Sequence, residues 1–158
     1  MIELSKERTR MEDLKRKVVK RKTRQLKMTL PIPPSVNSIY YNTRGGGRRL
    51  KAGAERYIRD VRALCNLFVE EQGWEKKTDA TWLYVDMVFY FPDLRTRDSH
   101  NCLKILLDAM ESIVFQNDYF VLPRIMSVEL CRDNPRVEIK VYDQTESERL
   151  KTIKNVLQ

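Results

Sequence analysis

The sequence predicts an α/β chain of the α+β type, a small mixed β-sheet covered by helices. Three observations carry that expectation. Residues 52–72 and about 99–114 repeat apolar side chains every three and four positions, the period of a helix with one buried face. Short runs at 25–32, 82–91, 125–131 and 137–142 alternate in polarity or are rich in β-branched and aromatic residues, as strands are. The elements come in the order strand, helix, strand, helix, strand, strand, helix, which implies a mixed sheet with helices against it. With 158 residues, 42% of them hydrophobic, the chain is one domain able to bury a real core.

Residues 1–25 contain helix-favouring Glu, Lys, Arg, Met and Leu, with too little apolar surface to dock firmly. The first strand, 25–32, sets Leu26, Met28, Leu30 and Ile32 on one face. Pro31, Pro33 and Pro34 then end any ladder, because proline has no N–H to donate. Residues 35–41 read as an ordered turn with Asn37, Tyr40 and Tyr41. Arg44-Gly45-Gly46-Gly47-Arg48-Arg49 is a basic loop, either a phosphate-facing segment or a plain hairpin tip. It lacks the context of a nucleotide P-loop. The stripe Ala54, Tyr57, Ile58, Val61, Leu64, Cys65, Phe68 and Val69 makes 52–72 a helix that ends before Gly73. The strand 82–91 stops at Pro92. The helix of about 99–114 buries Leu103, Leu106, Leu107, Met110, Ile113 and Val114. Residues 125–131 and 137–142 are expected to pair as an antiparallel hairpin around Asp133-Asn134-Pro135. Thr145 to Glu148 has capping-box spacing, and Leu150, Ile153 and Val156 give a short last helix.

Charge separates the chain into regions. The net charge is +8, yet residues 1–27 contain 11 Lys and Arg against 4 Asp and Glu, and the remainder 19 against 18. The basicity is an appendage, and such a run attracts nucleic acid, though a solubilising tail is the alternative. The expected organisation is a basic arm over 1–26, a domain over 27–143 and a C-terminal helix over 144–158. No apolar run is long enough to span a membrane. Cys65, Cys102 and Cys131 are far apart and odd in number, which fits a reducing, cytoplasmic setting without disulfides or a zinc knuckle.

The second helix carries the chemistry. Asn101, Lys104, Asp108 and Glu111 recur opposite its core stripe. Asp98 is placed to cap the helix, His100 lies near the stripe, and Asp118 follows in a polar break. Acids from a helix start and a loop, with a lysine beside them, can hold a divalent metal against a phosphate. The plainer alternative is a solvated face with an N-cap aspartate and a Lys104–Asp108 pair, adding a few tenths of a kcal/mol.

Several motifs follow one another. They are Leu30-Pro31-Ile32-Pro33-Pro34-Ser35-Val36-Asn37, the basic Gly loop, Lys51-Ala52-Gly53, Arg59-Asp60-Val61 and an aromatic strand ending in Pro92-Asp93. After them come Arg97, Asp98, Asn101, Lys104, Asp108 and Ala109, then Asn117 and Asp118. In this order and spacing, over about residues 27–142, the chain resembles the RusA-type Holliday-junction endodeoxyribonucleases. His100 stands where the family's most familiar members carry their second metal-binding aspartate, and Asn117 at the first acid of the later pair.

The resemblance implies a metal-dependent, structure-selective endonuclease that hydrolyses phosphodiesters in four-way DNA junctions during recombination, repair or phage DNA processing. It implies a homodimer in a bacterial cytoplasm, phage or prophage encoded. Asp98, His100 and Asp118 would hold Mg²⁺ or Mn²⁺, with Lys104 completing the catalytic set. Asn101 and Asp108 would support them, Asp108 by orienting Lys104. Arg44, Arg48, Arg49, Lys51 and the basic arm would grip DNA phosphates. The competing reading is a junction-binding or regulatory protein on the same fold, its catalysis weakened or lost through His100.

Overall fold

The computed structural model describes residues 24–77, 81–95 and 98–158. The helix considered for the basic arm and the signature residue Arg97 lie outside these residues. Strand β1 is Gln25–Leu30, and the short helix α1 is Val36–Ile39. Strands β2 (Tyr40–Asn42) and β3 (Arg48–Leu50) form a small antiparallel hairpin. Helix α2 (Ala52–Gln72), strand β4 (Leu83–Phe91) and helix α3 (Leu103–Met110) follow. Strands β5 (Val121–Leu130) and β6 (Arg136–Asp143) and helix α4 (Glu146–Leu157) complete the chain.

The main sheet has the order β1-β6-β4-β5. Strand β6 runs antiparallel to β1 and to β4, and β5 runs parallel to β4. The mixed sheet is as the sequence implies. The expected β5–β6 hairpin is not formed, because β4 lies between the two strands. The cause is the apolar content of β4. Leu83, Tyr84, Val85, Met87, Phe89 and Phe91 are all buried, and a strand so buried belongs in the middle of a sheet with a partner on each side. The segment 131–135 therefore spans two strand spacings, about 10 Å, rather than closing a tight turn. A parallel β4–β5 pair also needs a crossover, which α3 and the loop after it supply.

Helix α2 has the bounds its periodicity predicts. Gly73 ends it in the left-handed region (φ 65°), its N–H and that of Trp74 donating to the carbonyls of Glu70 and Val69, a conformation that glycine adopts without strain. Val61 and Cys65 beneath it are fully buried against Leu26, Met28 and Leu30 of β1 and Val137, Ile139 and Val141 of β6.

Helix α3 departs from expectation in two ways. It begins as a 3₁₀ turn over Ser99–Cys102 and stops at Met110, not 114. Ser112, in the left-handed region (φ 68°), ends the helical path. Val114 and Phe115 are buried nonetheless, as a loop rather than a helical turn, so apolar period alone did not distinguish the two. The helix is also buried on a second side. Ile105, absent from the predicted stripe, packs with Ile39 and Ala54 against Tyr40, Leu50, Tyr57 and Ile58, which contributes about 2 kcal/mol. That cluster roots the β2–β3 hairpin on α3. What remains of the helix surface is a narrow polar edge.

Candidate active site

The polar edge begins at Asp98. Its Oδ1 accepts the His100 backbone N–H at 3.0 Å, the N-cap arrangement that satisfies an otherwise unpaired donor at a helix start. The His100 Nδ1 lies 3.3 Å from the same oxygen. Both side chains remain open to solvent, 58% exposed for Asp98 and 80% for His100. The turn itself is anchored from below, where buried Cys102 donates its thiol to the Pro33 carbonyl at 3.6 Å. The proline segment after β1 thus sets where Asp98 and His100 stand.

One turn further on, the Lys104 ammonium reaches both carboxylate oxygens of Asp108, at 3.3 and 3.2 Å. The hydrogen bond to Asp108 holds the lysine above the usual amine range, and the Asp108 charge adds to it. Slight desolvation opposes them, while Tyr40 and Asp118 push further in the same direction. Lys104 therefore stays a cation, and Asp118 lies within its field.

Asp118 opens the 3₁₀ turn Asp118–Phe120, capped by Asn117, whose Oδ1 accepts the Tyr119 N–H at 3.1 Å. The loop leading to it is held by the middle of α2 and by the residues just after that helix. Arg62 donates to the Glu111 carbonyl at 3.0 Å, the Trp74 indole to that of Val114 at 2.8 Å, and Lys76 to that of Ser112 at 3.2 Å. The Gln116 N–H donates to the Lys77 carbonyl at 3.1 Å. An acid on a loop is placed well only if that loop is rigid, and these bonds to main-chain carbonyls make it so. Helical periodicity does not reveal Trp74 in this role; the available signal is a lone tryptophan directly after a helix-ending glycine.

The structure brings Asp98 against His100, and Lys104 against Asp108. Asn101 is half-buried on the same edge, its N–H donating to the Asp98 carbonyl at 3.1 Å. Among the described residues, no group of three or more His, Cys, Asp or Glu side chains is gathered as a metal cage. The donor chemistry still fits a magnesium-class ion, which needs only one or two carboxylates and keeps several waters. Exposed Asp98 and Asp118 are such carboxylates. Arg44, Arg48 and Arg49 project from the β2–β3 hairpin, and all three, with Lys51, are exposed. The loop is a hairpin tip and basic at once. Gly46 occupies a left-handed position (φ 83°) within it, and the Thr43 N–H donates to the Gly47 carbonyl at 2.8 Å.

A family model described as Endodeoxyribonuclease RusA matches residues 31–142. The chain belongs to this family. Membership places it among DNA-cleaving hydrolases. The match takes in the hairpin, Asp98, His100, Lys104 and Asp118, and leaves out the basic arm, β1 and α4. A search of curated proteins finds no match. No helix among the described residues is long and apolar enough to cross a membrane.

Proposed function

We propose that this RusA-family chain is a divalent-metal-dependent, structure-selective endonuclease that cuts four-way DNA junctions in recombination, repair or phage DNA processing, as a homodimer in a bacterial cytoplasm. What supports this reading is that Lys104 and Asp108 lie on the polar edge of an otherwise buried helix, that Asp98 caps the turn opening it, and that the charge of Asp118 acts on Lys104. When bound, the ion supplies a more acidic water and neutralises charge on the phosphate. Asp98 and Asp118 hold it through hard oxygens. Lys104, kept cationic and oriented by Asp108, steadies the charge that grows on the phosphate or the leaving oxygen. His100 gives the site a nitrogen donor, which suits Mn²⁺ better than Mg²⁺, and one that is lost once the imidazole is protonated. Asn101 supports the turn beneath them. The arginines of the hairpin, Lys51 and the basic arm bind phosphates and carry affinity rather than sequence preference. A junction has near two-fold symmetry, and a two-fold dimer presents two matched sites.

The test is nicking of a synthetic four-way junction, with a duplex of the same arm sequence as control, in Mg²⁺ and in Mn²⁺. Paired cuts near the branch, faster in Mn²⁺, are expected. Junction binding with no cleavage in either metal supports the second reading, a junction-binding protein whose catalysis was lost. That reading draws on His100 at the aspartate position and on the sparse ligand set among the described residues.

A further inference from the structure

We propose that Tyr119 forms a stacking site for an unpaired nucleobase beside the scissile phosphate, a proposal that rests on the nuclease reading above. Tyr119 is 76% exposed, and it follows Asp118 directly in the chain. Its ring is nevertheless braced. It meets the Phe120 ring edge to face, with centroids 5.0 Å apart at 76°, and Phe120 meets Trp82 in the same manner at 5.2 Å and 81°. The backbone beneath is fixed by the Asn117 cap. An isolated surface tyrosine needs no explanation. A ring held open to solvent by two further aromatic rings, next to an acid that acts on Lys104, is a preorganised flat surface at the point where the phosphate would sit.

The chemistry of the ligand follows from the flatness and the neighbours. Every base offers a π-face, so an aromatic ring recognises unpaired nucleotides without reading sequence. In an intact duplex those faces are occupied by stacking, whereas a branch point frees them. The phosphate contacts of the hairpin are indifferent to DNA shape, and the Tyr119 ring adds a preference for opened DNA. Polar Asn117 and Asp118 precede the ring in the chain, and Phe120 and Trp82 continue the aromatic cluster beside it.

The experiment measures affinity of the full chain, without divalent ion so that nothing is cut, for three DNAs. These are a four-way junction with 2-aminopurine at the branch point, a single strand containing 2-aminopurine, and a plain duplex. Tyr119→Ala is expected to weaken binding to the junction and the single strand by about 5- to 100-fold, the worth of one stacked base, and duplex binding by less than about twofold. Tyr119→Phe and Tyr119→Trp are expected to bind as wild type does. The protein-induced change in 2-aminopurine emission is expected to vanish in Tyr119→Ala alone, at an unchanged thermal midpoint. Equal weakening on all three DNAs, or no change on any, overturns the proposal. So does a loss in Tyr119→Phe, which makes the hydroxyl the contact. The single-strand measurement is independent of cleavage, so failure of wild type to nick the junction counts against the nuclease reading and not against the stacking site.

Discussion

Two charge clusters in this molecule use the same residue types to opposite ends. On the sheet face away from α2, Arg124 of β5 forks onto Asp86 of β4, with Nε to Oδ1 at 2.7 Å and Nη2 to Oδ2 at 3.0 Å. The Tyr142 hydroxyl donates to the same carboxylate at 3.0 Å. The guanidinium lies over Tyr84 at 4.6 Å, and Tyr84 stacks on Tyr142. Burial, and then the bond to Asp86, push the Tyr142 phenol above its ordinary range. These groups satisfy one another and tie three strands together. On the α3 edge, Asp98, His100, Lys104 and Asp118 are exposed and meet their neighbours through few, longer contacts. The first cluster uses its hydrogen-bonding capacity inside the fold; the second leaves it open to solvent. The same carboxylate–cation chemistry thus serves architecture in one place and, on the function proposed above, reactivity in the other, and burial is what separates them.

The comparison breaks most sharply if the exposed acids prove to be structural. Asp118→Asn and Asp98→Asn are each expected to lower single-turnover junction cleavage by about a thousandfold or more, with DNA affinity and thermal midpoint little changed. Retained cleavage in either variant removes that residue from the site. Lys104→Ala comes next, with an expected loss of about a hundredfold in the same rate. Its effect on stability should stay under about 0.5 kcal/mol, since an exposed helical pair contributes little. Weaker binding at an unchanged rate would make Lys104 an ordinary phosphate contact.

Asp86→Ala should give the mirror image. Leaving Arg124 partly buried without its partner is expected to cost about 2 kcal/mol in a urea titration, below the value for fully buried pairs because Arg124 is one-third exposed. Cleavage by the folded protein should stay within about threefold of wild type, and a larger loss would couple the sheet face to the site.

The smallest effect concerns a carboxylate with a purely local duty. Glu148 closes a capping box with Thr145, whose backbone and side-chain donors hold its carboxyl below the usual range. A lowered value means the cap is fully present above the ordinary carboxylate range and is lost as pH falls through the lowered one. Amide exchange across 146–157, corrected for its intrinsic pH dependence, should therefore quicken at acid pH. Thr145→Ala should show the faster exchange already at neutral pH and lose most of the acid dependence.

Much of this was legible in the sequence where one local rule acted alone. Helix α2 has a clean stripe and a glycine at its end, and its bounds are those predicted. The capping box at Thr145 is likewise complete within four residues, and Asp98 caps its turn as its position suggested. Legibility failed where tertiary context decided. Ile105 is polar-side by period yet buried, because the hairpin root covers it. Val114 kept an apolar rhythm while leaving the helix, since the Trp74 indole donates to its carbonyl and Arg62 to that of Glu111. The turn at Asp133 looked like a hairpin, because nothing local shows that another strand lies between its arms. At the candidate site the sequence showed which residue types were present but not their arrangement; what brought Asp118 into the field of Lys104 was the pinned loop.

That inserted strand has a consequence for how the chain is made. Every neighbour in the four-stranded sheet is joined through tens of intervening residues, and β1 pairs with β6 alone. Sheets built from such distant pairings form slowly, because the loop between partners must close before any contact rewards it. On the ribosome, Leu26, Met28 and Leu30 emerge early and wait, their apolar face unpaired, until the last strand has been synthesised. Helix α2, which is local and capped, can form during that wait and shield them. The sheet is thus completed only once β6 has been made, and a chain truncated before β6 would lose the strand that joins β1 to β4.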